Sequence, residues 1–141
     1  MTSSVPAAPR RAVVAGHGDY AAGLISAVQQ ITGRGDAFRA LSNAELSAVA
    51  LEELLRATVA ANGVRVIFTD LPAGSCTIAA RRVARDVPWL SVVTGANLSV
   101  LLAWVLGTDD SAAACEHAVE RGRAAMAVLP GSMVTEGGGA H

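Results

Sequence analysis

Short β-branched apolar runs alternate along this chain with longer segments in which apolar positions recur every three or four residues. Such alternation predicts a parallel sheet with crossover helices on its faces. Residues 11–16 (RAVVAG) read as a first strand, and 19–32 as a helix with apolar Leu24, Ala27, Val28 and Ile31, ended by Gly33 and Gly35. A weaker strand covers 37–41. Ser42 with Glu45 three residues later is a capping box, so the second helix is expected from there to about residue 61, closed by Asn62 and Gly63. Residues 64–69 (VRVIFT) are the clearest strand, apolar nearly throughout, as in a strand covered on both faces. The loop 70–75 opens a helix to about residue 86, and Pro88 stops it. A fourth strand follows at 89–94, then a helix from the Asn97 cap to about 106. Gly107 breaks that helix, and Asp109 or Asp110 starts another to about 126. Residues 128–134 make a short last strand, which Pro130 and Gly131 suit to an edge position. The expected fold is α/β: an open, mostly parallel, doubly wound sheet of about four parallel strands plus a short C-terminal edge strand, with helices on both faces.

Composition narrows this picture. With 52% hydrophobic and 16% charged residues over 141 positions, the chain suits one well-buried domain. Its expected span is 11–135, between a disordered lead-in at 1–10 and a disordered tail at 136–141. The longest apolar stretch, near residues 98–106, falls far short of the roughly 20 residues of a membrane helix. The N-terminal residues lack the apolar centre of a secretory signal, so a cytoplasmic location is expected. A net charge of -1 offers no basic footprint for nucleic acid. All 11 basic residues are arginine, which excludes Schiff-base chemistry and a phosphate-loop lysine. Cys76 and Cys115 form no C-x-x-C pair and read as buried, reduced thiols.

Candidate chemistry lies where open parallel sheets bind ligands, beyond the carboxyl ends of the strands. His17 follows the first strand between Gly16 and Gly18, a setting that leaves the imidazole unshielded and lets another backbone approach. By position alone it either caps the next helix or serves as a nucleophile. Asp70, at the end of a neighbouring strand, favours the second role: its carboxylate can fix one ring nitrogen and leave the other to react. The alternative for Asp70 is an ordinary loop aspartate bonding nearby amides. Ser75, after Gly74, stands at a helix start where free amides favour an anion, and there it caps the helix, contacts a phosphate, or both. Arg81, Arg82 and Arg85 give the same helix a basic face. A dinucleotide fingerprint is not complete, because the third glycine is Gly23 and position 21 is Ala21; no nucleophile elbow surrounds Ser75.

Together, V-V-A-G-H-G-D-Y-A-A-G-L, D-L-P-A-G-S, G-A-N-L-S-V-L-L and the late A-V-E-R-G-R-A-A-M resemble the enzyme IIA component of the mannose family of the phosphoenolpyruvate-dependent sugar phosphotransferase system, from Ala12 to about Met126. The resemblance implies that His17 accepts a phosphoryl group from the phosphocarrier protein HPr and passes it to a IIB component, for sugar uptake with phosphorylation. Asp70 would orient His17, and Ser75, Gly74 and Gly18 would surround the phosphate. The family pattern D-x-x-G-G-S-P differs here at Ala73 and Cys76. With no IIB domain after this one, the acceptor is expected to be a separate protein, and association with the membrane IIC and IID components to be indirect. The resemblance also implies a homodimer whose terminal strand, here 128–134, crosses to the partner. No metal or other cofactor is called for, since phosphoryl transfer between imidazoles is chiefly a matter of positioning and charge. Alternatives on the same fold are a phosphocarrier subunit feeding dihydroxyacetone kinase and a regulatory module outside transport.

Overall fold

The first strand, β1 (Ala12–Gly16), is buried along its whole length because it is central, paired in parallel with β2 (Phe38–Ser42) on one side and β3 (Val66–Thr69) on the other. A fourth parallel strand, β4 (Ser91–Val93), continues the sheet beyond β3, for an order β2-β1-β3-β4. The computed structural model describes residues 11–107 and 109–131. The lead-in expected at 1–10 and the tail expected at 136–141 lie outside them.

Among the described residues, five α-helices cover the sheet: α1 (Tyr20–Thr32), α2 (Ala48–Asn62), α3 (Ser75–Arg85), α4 (Leu98–Val105) and α5 (Ala112–Ala124). Successive strand residues point to opposite faces, so β1 splits between two cores. Ala12 and Val14 join Phe38 and Phe68 beneath α1, α4 and α5, whereas Val13 and Ala15 join Leu41 and Ile67 beneath α2 and α3. The first core centres on Trp104, whose ring centroid lies 5.5 Å from that of Phe38 and 5.6 Å from that of Phe68. These separations lie within the range of favourable aromatic pairs. Helices on both faces and four parallel strands match the expected α/β architecture.

Four local expectations change. Helix α2 begins at Ala48, capped by the Ser47 hydroxyl, which accepts from the Ala50 amide at 3.1 Å. Ser42 belongs to β2, in register with Gly16, and the chain turns through Asn43 and Leu46 before the helix starts. Pairing with β1 therefore takes the first residue of the expected capping box into the strand, while Ser47 supplies the same capping chemistry one turn later. Helix α5 begins at Ala112 with Ser111 as its cap, and Asp109 accepts from the amide and hydroxyl of Ser111 instead of capping the helix itself. β4 is shorter than 89–94, and Trp89 stays half exposed outside it. No strand forms at 126–131, where Val128 and Leu129 are exposed; residues 132–134 of the expected edge strand lie outside the described residues. Pro130 offers no amide for a sheet ladder. Both cysteines are buried and free, as expected.

Candidate functional site

The strand order reverses at β1, whose successive connections lead first to β2 on one side and then to β3 on the other. A crevice at the carboxyl ends of β1 and β3 is the ligand position of such sheets. His17 leaves β1 there, and Asp70 leaves β3 beside it.

Asp70 Oδ2 accepts from His17 twice, from the backbone N–H at 2.9 Å and from ring Nδ1 at 2.7 Å. Burial works to raise the Asp70 pKa, but the ring and amide bonds from His17 outweigh it and hold the carboxyl below its usual range. An ionised carboxylate only accepts, so the proton of a neutral His17 ring sits on Nδ1 and the lone pair on Nε2. The Asp70 side chain is 10% exposed and that of His17 54%, so a buried anchor holds an open imidazole.

Gly16 makes this approach possible. A Cβ there would meet Tyr20 Cδ2 at 2.4 Å and Asp70 Oδ2 at 3.0 Å. Gly18 follows the histidine at φ +53°, a left-handed conformation that suits glycine, and the Tyr20 amide closes the turn on the His17 carbonyl at 3.0 Å. His17 is thus at a turn rather than at a helix cap; the cap position of α1 is Asp19, which makes no side-chain capping bond.

Gly74 is the cap position of α3 and lies against the His17 ring, with a notional Cβ 3.6 Å from His17 Cε1. Ser75 is the first helical residue, so it does not cap the helix, and its hydroxyl accepts from Asn43 Nδ2 at 3.0 Å. Cys76 is buried in the core behind it. Burial, then the Asp70 charge, pushes its thiol up to about 11 despite a bond with Ser75, so it stays an unreactive thiol.

Three neighbours of the site were not anticipated from sequence. Tyr20 donates from its hydroxyl to the Ala96 carbonyl at 2.6 Å, tying the β1 loop to the loop after β4; burial, then the Asp70 charge, pushes its pKa up to about 12. Thr77 reaches back to the Leu71 carbonyl and lies 2.6 Å from the Thr69 hydroxyl, which shapes the loop carrying Asp70. Asn43 tethers its backbone N–H to the Gly16 carbonyl at 3.2 Å while its side chain holds Ser75. The position of Tyr20 one turn beyond His17, as the chain's sole tyrosine, was the available signal; Asn43 had none, because its two partners are distant in sequence.

The family model for the fructose IIA component of the phosphotransferase system matches residues 11–120. The chain belongs to this family. The match spans both halves of the crevice and agrees with the mannose-family resemblance of the motifs. Among solved structures, the chain is similar to a mannose/sorbose-specific IIA subunit from Enterococcus faecalis, with TM-score 0.76, 20% identity and coverage of 87% of this chain and 96% of that one. It is also similar to a IIA protein associated with the fucose utilization operon of Streptococcus pneumoniae, with TM-score 0.72, 23% identity and coverage of 88% and 96%. A IIA component from Streptococcus agalactiae gives TM-score 0.74 at 17% identity, with coverage of 84% and 95%. At these identities the likeness is one of fold. The comparison with curated proteins gives no match. Phosphotransferase-system IIA components are phosphocarriers, and that general role comes with family membership. Among the described residues, no helix is long and apolar enough to cross a membrane.

Proposed function

We propose that the protein carries a phosphoryl group on Nε2 of His17, accepting it from HPr and passing it to a separate IIB component, so that a sugar is phosphorylated as it is taken up. The observation that carries this reading is the pair of bonds from His17 to one oxygen of Asp70. They hold the ring by Nδ1 and turn the other nitrogen's lone pair into the nucleophile. In the transfer step the Nε2 lone pair forms a bond to phosphorus while the phosphorus–nitrogen bond of the donor phosphohistidine breaks. That bond's electron pair returns to the donor imidazole, and the Nδ1 proton of His17 stays against Asp70.

Charge on the travelling phosphoryl oxygens is met by the beginning of α3. Its first intrahelical amide bond runs from Ile78 to the Gly74 carbonyl, so the amides of Ser75, Cys76 and Thr77 precede the helix's own ladder. The helix dipole contributes only about 0.3–2 kcal/mol, so direct bonds from amides and from the Ser75 hydroxyl supply most of the stabilisation. Gly18 and Gly74 keep both sides of the ring open to a docking loop.

The acting unit is a single IIA-like domain over 11–135, in the cytoplasm, in contact with the membrane IIC and IID components only through IIB. It works as a homodimer: β4 is an edge strand, and the exposed Val128 and Leu129 offer apolar surface to a partner. Truncation after Met126 should then convert dimer to monomer in light scattering.

The deciding experiment incubates the protein with phosphoenolpyruvate, enzyme I and HPr. The expected product is an acid-labile, base-stable phosphate that His17→Ala cannot acquire. Equal labelling of His17→Ala would overturn the assignment. Onward transfer to added IIB separates a transport component from a regulatory module, which would retain its phosphate.

A further inference from the structure

Asn43 is the first residue of the loop after β2, and it joins two parts of the site. Its backbone N–H is bonded to the Gly16 carbonyl, one residue before His17. Its side-chain amide donates to Ser75 Oγ at 3.0 Å. A hydroxyl has one proton to donate and two lone pairs. With one lone pair engaged by Asn43, the Ser75 proton is directed away from Asn43 and remains available to an acceptor. Another neighbour of that hydroxyl is the Cys76 thiol, a weak acceptor. A phosphoryl oxygen on the His17 ring, whose Cε1 a Cβ built on the adjoining Gly74 would approach to 3.6 Å, is a much stronger one.

We propose that Asn43 is a positioning residue for phosphoryl transfer: by donating to Ser75 Oγ it sets the direction of the Ser75 hydroxyl proton toward the phosphoryl group on His17. This rests on the reading of His17 as the phosphoryl carrier. It deepens that reading by adding a residue that acts through Ser75 without touching the phosphate. The backbone tether to Gly16 is independent of side-chain identity, so substitutions at Asn43 leave the loop anchored.

The chemistry makes the two obvious substitutions unequal. Asn43→Ala frees the hydroxyl to rotate, forfeiting one ordinary hydrogen bond's worth of alignment, roughly 3- to 10-fold in rate. Asn43→Asp keeps the shape and reverses the bond: the carboxylate accepts the Ser75 proton and turns it away from the phosphate. A loss of about 30-fold or more is expected, in the range of bonds to charged groups and of mis-aimed donors.

The test loads the full chain with phosphoramidate, a small phosphoryl donor that needs no partner protein, and follows phosphohistidine formation by phosphorus NMR. Wild type, His17→Ala, Asn43→Ala, Asn43→Asp, Ser75→Ala and the Asn43→Ala/Ser75→Ala double variant are compared, with circular dichroism and thermal midpoints as folding controls. Expected are no loading at position 17 in His17→Ala, slower loading in Asn43→Ala, still slower loading in Asn43→Asp, and a double variant no slower than Ser75→Ala. The last result separates positioning from a general structural role, whose effect would multiply with that of Ser75→Ala. Wild-type rates in either Asn43 variant, or multiplied effects in the double variant, overturn the inference alone. Undiminished loading of His17→Ala overturns the carrier reading and this inference with it.

Discussion

His17 gives both its backbone N–H and its ring Nδ1 to a single oxygen of Asp70, at 2.9 and 2.7 Å. The double contact fixes the ring's orientation and its tautomer together. Asp70→Ala should therefore slow phosphorylation of His17 by roughly 10- to 100-fold, the equivalent of about 1.5–3 kcal/mol for a bond to a charged group. Rapid-quench measurement with HPr as donor checks this, and an unchanged rate would show that the ring is held by something other than Asp70.

The same bonds make stability depend on acid. The Asp70 pKa is lower in the folded protein than its ordinary value, because the His17 bonds outweigh burial. The stability from this group is fully present above the ordinary value of about 3.9 and is lost as the pH falls through the lower folded value. Urea unfolding at a series of acid pH values should show the wild type losing its advantage over Asp70→Asn across that window. A constant difference between the two would contradict the assignment.

Tyr20 predicts the opposite limb. It is the chain's only tyrosine, and burial, then the Asp70 charge, raises its pKa to about 12. Tyrosinate absorbance should thus appear near pH 12 instead of about 10. Because the unfolded tyrosine ionises first, stability should decline as the pH rises from about 10 toward 12, and Tyr20→Phe should remove that share of the decline. A titration midpoint near the ordinary value would mean that Tyr20 is not enclosed between the loops after β1 and β4.

Gly16 tests the close approach of those loops. An added methyl would lie 2.4 Å from Tyr20 Cδ2 and 3.0 Å from Asp70 Oδ2. Gly16→Ala is expected to lose about 1–3 kcal/mol in thermal or denaturant unfolding, as over-packed sites do. It should also slow phosphorylation of His17 by displacing Asp70. Full stability with full activity would show that the loops give way without cost.

β1, β3 and β4 were legible because β-branched runs bounded by turn residues leave a local pattern, whereas β2 (FRALS) has none and read only weakly; the central placement of β1 agrees with its apolar character throughout. Helix starts were less legible. Ser42 and Glu45 satisfy every local requirement of a capping box, yet pairing of β2 with β1 through Ser42 takes the serine into the sheet. Asp109 shows the same competition on a smaller scale, since Ser111 outbids it as a cap while bonding to it.

Sequence by itself determined the α/β class, the two-faced burial of β3, and the pairing of an open histidine with a carboxylate after a neighbouring strand. Those features depend on residue type and short-range periodicity. Tertiary structure decided that Asp70 Oδ2 takes both donors of His17, that Gly16 is there for the approach of Tyr20 and Asp70, and that Asn43 reaches Ser75 across 32 positions. Such contacts depend on register and strand order, which bring distant loops to one end of the sheet and leave no mark in the local pattern of any one of them.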